Sequence, residues 1–214
     1  MCRQHDLKGN PVRGPLNALF FTAFDSDINR RLAAPKSKLF RNLPSAVVEL
    51  GAGVGANFGY FEAGTHVTAI EPNPHMHRRL RRKARACAIE LDIVHDCAET
   101  IPLPDHSVEA VICTLVLCTV DDPARTLQQV RRILKPGGRF LFLEHVAAAQ
   151  GHWRRRLQNA VHRPWRYVFE GCNTNRDTGA VIRSAGFRHV TMETYTMSGP
   201  FVPVNTQIAG VASA

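Results

Sequence analysis

Ala46-Val47-Val48-Glu49-Leu50-Gly51-Ala52-Gly53-Val54-Gly55-Ala56 is the stretch on which the reading of this chain turns. Ala46 to Leu50 is a short apolar run ending at glycines, which reads as a buried strand. Gly51 and Gly53 let the backbone turn tightly and approach a ligand. Glu71 closes a second apolar run, His66 to Ile70, and lies 20 residues after Gly51. A carboxylate at that point can accept both hydroxyls of an adenosine ribose. The arrangement points to an adenosine-containing cofactor. It does not say which one, because Gly51-x-Gly53-x-x-Ala56 with Glu71 also satisfies the dinucleotide fingerprint.

Outward from this turn, strands alternate with helices. The pattern predicts a helix from Val54 to Glu62, a helix from Pro74 to Ala88, and strands over Ile89–Val94, Val108–Leu115 and Arg139–Val146. A helix is predicted over Asp121–Leu134, with Asp121 or Asp122 as its cap and Pro123 in its first turn. Residues 151–175 read as irregular, Arg176–Ala185 as a helix, and 187–197 and 201–212 as strands. Upstream, residues 1–14 read as a loose polar stretch, and a short helix is expected at 36–42. Leu16, Phe20, Phe24, Ile28 and Leu32 recur every four positions, one face of an amphipathic helix over 16–32. Such alternation builds a mainly parallel sheet covered on both faces, and two consecutive late strands suggest an antiparallel pair at one edge.

The chain has 214 residues, 44% hydrophobic and 21% charged, and a formal charge of +9. That composition describes one globular domain with an appendage and argues against disorder. No run reaches the roughly 18 apolar residues of a membrane span and no signal peptide is visible, so a cytoplasmic protein is expected. The six cysteines show no C-x-x-C pair and no zinc spacing, so reduced thiols and no metal are expected. Basic residues cluster at Arg78, Arg79, Arg81, Arg82, Lys83 and Arg85, and again at Arg154-Arg155-Arg156. Without an aromatic-basic interleave they read as solvated faces, so no nucleic-acid partner is expected; peripheral membrane contact stays open. Monomer and homodimer are both compatible with the sequence.

As an ordered set, Val47–Gly55, Ile70-Glu71-Pro72-Asn73-Pro74, Asp96–Asp105, Val108–Val120 and Leu134-Lys135-Pro136-Gly137-Gly138 closely resemble the class I S-adenosylmethionine methyltransferases. The resemblance covers residues 45–147 and implies an α/β, Rossmann-like domain over 45–214, behind an N-terminal helical cap, 1–44. It implies a seven-stranded, mainly parallel sheet of order 3-2-1-4-5-7-6, with strand 7 antiparallel. It implies that Gly51, Ala52 and Gly53 pass under the methionine part of S-adenosylmethionine, that Glu49 and Asn57 help hold it, and that Glu71 and Pro72 lie at the ribose. Asp96, Cys97 and Ala98 would follow the adenine edge, and Thr114 and Leu115 would close the pocket.

Further segments are similar to a narrower group, the mammalian alkyl-thiol methyltransferases of the endoplasmic reticulum. They include Gly55-Ala56-Asn57-Phe58, Cys113–Cys118, Glu144-His145-Val146, Trp165 and Gly171-Cys172. This implies methyl transfer to the sulfur of a small-molecule thiol, such as a thiol natural product or a toxic thiol. Those relatives carry an N-terminal membrane anchor where this chain shows only the helix at 16–32, which implies a soluble, microbial member. A thiol has a pKa near about 8.5, so some thiolate exists without a dedicated base. His145, at the carboxyl end of the fifth strand, is the expected proton acceptor, ahead of Asp177 and Tyr167. Phe20, Phe24, Trp165 and Cys172 are candidates for the substrate pocket. The alternatives are an O- or N-methyltransferase acting on a quinone, phenol or amine, an RNA methyltransferase, and a non-catalytic cofactor-binding module.

Overall fold

A computed structural model describes residues 13–214. The loose stretch expected at 1–14 falls, apart from its last two residues, outside that range. Strands β1 (Ala46–Leu50), β2 (His66–Ile70), β3 (Glu90–Val94), β4 (Val108–Thr114), β5 (Leu134–His145), β6 (His189–Thr196) and β7 (Thr206–Ser213) form one sheet. Its order is β3-β2-β1-β4-β5-β7-β6. β7 runs antiparallel to both β5 and β6, and the other pairings are parallel. This is the expected topology, strand for strand.

Helices α1 (Arg13–Arg31), α2 (Ala33–Leu39), α3 (Pro74–Ala86), α4 (Pro123–Ile133), α5 (Trp153–Val168) and α6 (Thr178–Ser184) complete the described chain. Their starts follow from local chemistry. Asn73 accepts the His75 amide at 3.0 Å ahead of Pro74, and Asp122 accepts the Arg125 amide at 3.0 Å ahead of Pro123. Asp177 caps α6 by accepting from the Ala180 amide, which occupies the carboxylate that was a secondary acceptor candidate.

The sheet separates two apolar layers. Leu50, Ile70, Val111, Phe140 and Phe142 pack with α4 and α6 on one side. Val47, Val67, Ile112, Leu141 and Leu80 pack with α2 and α3 on the other. Alternate residues of β4 and β5 serve opposite layers, as a strand of period two requires when both faces are covered.

Two expectations fail. Val54–Glu62 is not a helix; it is a chain of turns with a single 3-10 turn at Phe58–Tyr60. Gly55 sits at φ +86°, a conformation that breaks a right-handed helix, and a β-carbon there would meet Lys83 Cγ at 2.9 Å. Conversely, the supposedly irregular 151–175 contains the 16-residue helix α5. Its signal was present: Leu157, Val161, Trp165 and Val168 recur at helical spacing between arginines.

Cys87, Cys113, Cys118 and Cys172 are free thiols, whereas Cys97 is disulfide-bonded, against the reduced state expected of all six.

Candidate active site

The parallel strands β1, β2, β4 and β5 end on one edge of the sheet, where open α/β folds bind ligands. A cavity of about 890 Å³ opens there. It has two halves.

The first half lies beyond β1 and β2. Gly51 and Gly53 take φ +57° and +58°, and a β-carbon on Gly51 would lie 2.5 Å from Val116 Cγ2. Only glycine allows this passage. The Glu71 carboxylate, buried, accepts the Gly53 amide at 2.8 Å through Oε2 and the Asn73 amide at 2.8 Å through Oε1. It therefore fixes the glycine turn as well as facing the cavity. Burial pushes its pKa up to about 7 against those two hydrogen bonds. Glu49 is also buried, and Asn57 Nδ2 donates to its Oε1 at 2.7 Å and to Thr114 Oγ1 at 3.0 Å. Burial likewise raises Glu49 to about 7.

Glu49 Oε2 and Asn57 Oδ1 are buried acceptors with no donor among the described residues. Two orphaned acceptors in a cavity wall ask for a ligand rich in donors, such as an ammonium group. That is the fit expected for the amino-acid end of S-adenosylmethionine, and a carboxylate at Glu71 fits its ribose. Gly51, Ala52, Gly53, Pro72, Cys97, Ala98, Thr114 and Leu115 all line the same cavity. Asp96 does not: its Oδ1 accepts the Cys97 amide at 2.7 Å and the Thr100 hydroxyl at 2.8 Å, which closes the turn after β3. Lys36, fully buried in α2 with its ammonium 2.5 Å from Asn29 Oδ1, lines this wall and had no mark in the sequence.

The second half lies beyond β4 and β5, about 10 Å away at a strand spacing of about 4.8 Å. Leu115 turns the chain out of β4 at φ +59°, an unusual conformation for leucine. The next amides, of Val116, Leu117 and Cys118, all donate to the buried Glu144 carboxylate at 2.9, 3.1 and 3.4 Å. Arg176 holds the same loop from its other side, donating to Leu117 O at 2.6 Å and Val120 O at 2.7 Å. So Glu144, which points away from its neighbour His145 along the strand, shapes the loop that carries Cys118.

His145 is buried, and its Nε2 lies 3.0 Å from Cys172 Sγ. Trp165 Nε1–H donates to the same sulfur at 3.3 Å. Cys118 completes a group with His145 and Cys172 whose ligand-capable atoms all lie within 4.8 Å of one another. Burial raises the Cys118 thiol well above its ordinary range, so it is neutral at physiological pH. All three residues line the cavity. Cys118 was read only as a core residue, and no spacing in the sequence announces the trio.

Above this corner stands an aromatic roof. Phe20 of α1 meets Phe169 at 5.1 Å and Phe201 at 5.9 Å between ring centres, and Trp165 meets Phe169 at 4.4 Å. Phe20 and Trp165 reach the cavity as expected. Phe24 does not line it; its ring, on a partly exposed side chain, braces Phe20 at 4.6 Å and Phe201 at 5.7 Å from outside. No helix among the described residues is long and apolar enough to cross a membrane.

Residues 48–142 match the family described as a methyltransferase domain. Human thiol S-methyltransferase TMT1B is 35% identical over 195 residues, 86% of this chain and 80% of that protein. Human thiol S-methyltransferase TMT1A is 35% identical over 185 residues, 81% and 76% of the two. Among solved structures, a SAM-dependent methyltransferase from Aquifex aeolicus superposes with a TM-score of 0.63 at 16% identity, covering 92% of this chain and 97% of that one. The [4+2]-cyclase SpnF superposes at 0.62 and 17% identity, covering 78% and 73%. These structures share the fold, and the cyclase among them illustrates that the fold alone does not set the reaction. On the sequence matches and the sheet order together, the chain belongs to the class I S-adenosylmethionine-dependent methyltransferases, in the branch that includes the thiol S-methyltransferases.

Proposed function

We propose that this protein methylates the sulfur of a small-molecule thiol. The observation that carries the reading is the corner made by Cys118, His145 and Cys172, set beneath the aromatic roof in the half of the cavity beyond the cofactor half. The names of the two human relatives agree with it.

Bound against Glu49, Gly51, Gly53 and Glu71, S-adenosylmethionine supplies an electrophilic methyl group. The chain's own task is to hold an acceptor sulfur in line with it, and position supplies much of the rate of such a displacement. The aromatic roof excludes water and fits an apolar body attached to that sulfur. His145 Nε2 takes the thiol proton in the metal-free protein, a modest demand because the acceptor's pKa is only about 1.5 above neutral. An alcohol, with its higher pKa, would need stronger activation. The helices α1 and α2 act as a cap over the cavity, through Phe20, Ile28, Leu32 and Lys36.

The test is a competition assay. Pure protein receives S-adenosylmethionine and a panel of thiols, each matched to its alcohol, phenol and amine counterpart, with products read by mass spectrometry. Methylated thiols alone are expected. Methylated phenols or amines in their place would reject the sulfur assignment and leave the fold and cofactor standing.

A further inference from the structure

We propose that Cys118, His145 and Cys172 form a site for a thiophilic divalent cation, zinc by its ligand set, with one coordination position open to the acceptor thiol. The inference deepens the thiol reading and rests on it for the identity of the fourth ligand; the cation site itself does not.

Two thiols and an imidazole within 4.8 Å of one another are a Cys2His donor set. Tetrahedral zinc places such atoms about 3.5–3.8 Å apart, given bonds of about 2.3 Å to sulfur and 2.0–2.1 Å to nitrogen. The trio reaches that spacing with side-chain shifts of about an ångström. The donors come from fixed elements: His145 ends β5, and Cys118 sits on the loop pinned by Glu144 and Arg176. Three protein ligands with one side open is the pattern of a catalytic zinc, whereas structural sites close with a fourth. Here the open side is the cavity, because all three donors line it.

The surroundings suit anionic sulfur. Trp165 Nε1–H already donates to Cys172 Sγ, and the Arg176 guanidinium lies against the Cys118 loop. Such outer contacts orient and tune metal ligands. Nδ1 of His145 is buried without a partner among the described residues.

The chemistry balances without an oxidant. As the cation binds, Cys118 and Cys172 each release a proton to solvent. The acceptor R–SH then forms a sulfur–metal bond and loses its own proton to solvent, so His145 serves as a ligand and no longer as the base. Coordination deprotonates a thiol outright. A free thiol of pKa about 8.5 is only about 3% ionised at pH 7, so the gain in thiolate is at most about 30-fold there and falls below twofold above about pH 8.5.

The experiment strips the protein with chelator under argon and without reductant, since a reductant would open the Cys97 disulfide and a dithiol would compete as ligand and substrate, and then titrates Zn2+ or Co2+. One equivalent is expected, with a sulfur-to-cobalt charge-transfer band that shifts when a panel thiol is added. C118S and C172S should lose the equivalent while keeping S-adenosylmethionine affinity, which reports that they fold; C87S, at a half-buried thiol away from the trio, should keep it. Zinc should raise thiol turnover by up to about 30-fold at pH 7 and by little at pH 9. No stoichiometric binding, or binding that survives both substitutions, would overturn the site. Thiol methylation that stripped protein performs undiminished would overturn its role and leave the thiol reading intact. A cobalt site with no methylated thiol would keep the cation and remove the thiol reading.

Discussion

The two halves of the cavity are built by opposite means. The cofactor half is centred on residues 49–73, one strand-turn-strand unit in which Glu71 ties down the glycine turn and Asn57 ties down Glu49, with Lys36, Cys97, Ala98, Thr114 and Leu115 completing its walls. The acceptor half draws Phe20, Cys118, His145, Trp165, Cys172 and Phe201 from six separate segments. A ligand shared across a family can be served by one local geometry. A ligand particular to one branch is met by whatever the folded chain brings to the opposite wall.

If that division is real, single substitutions should hit one half and spare the other. The largest effect is expected from Glu71→Ala, which removes the carboxylate proposed to accept the two ribose hydroxyls and frees the Gly53 and Asn73 amides. At about 1.5–3 kcal/mol per charge-assisted hydrogen bond, S-adenosylmethionine affinity should fall by about a hundredfold or more, read by calorimetry. His145→Ala should do the reverse: turnover falls about 10²-fold while cofactor affinity moves less than twofold. A parallel loss of affinity would merge the two halves into one.

A pH series sharpens the contrast. Glu49 and Glu71 stand at about 7 because they are buried. Both must be ionised to face an ammonium group and ribose hydroxyls, so binding releases protons below pH 7. Affinity should weaken by about tenfold for each of the two groups between pH 8 and pH 6. In the ligand-free protein the same raised values favour folding at low pH, and that contribution is lost as the pH climbs from about 4.5 towards 7. Its melting temperature should therefore gain more from added cofactor at pH 8 than at pH 6. The smallest effect is expected at the roof. Phe20→Ala removes ring contacts worth about 0.5–1.5 kcal/mol each, so acceptor KM should rise by about fivefold with cofactor affinity unchanged.

The same contrast explains what could be read in advance. The strands were legible from their periodicity and the glycine turn from Gly51 and Gly53, which a local requirement forces, whereas the sheet order followed from the resemblance to the class I methyltransferases. The helix expected at Val54–Glu62 was wrong because Gly55 takes φ +86°, where a β-carbon would meet Lys83 of α3, a neighbour no local pattern encodes. Asp96 was placed at the cofactor by motif; its Oδ1 holds the Cys97 amide and the Thr100 hydroxyl, and it does not line the cavity. Cys118 looked like filler because its partners lie 27 and 54 residues downstream, at His145 and Cys172. Glu144, beside the histidine that drew attention, was passed over, although three backbone amides converge on it.

Leu115 and the loop after it have a consequence for how the enzyme could change over generations. Its floor is pinned through main-chain amides and carbonyls, by Glu144 and Arg176, so most side-chain replacements leave its shape alone. The roof is held by ring against ring, where each replacement alters the ceiling and little else. Acceptor range can then drift residue by residue under selection, while the machinery for methyl delivery is inherited unchanged.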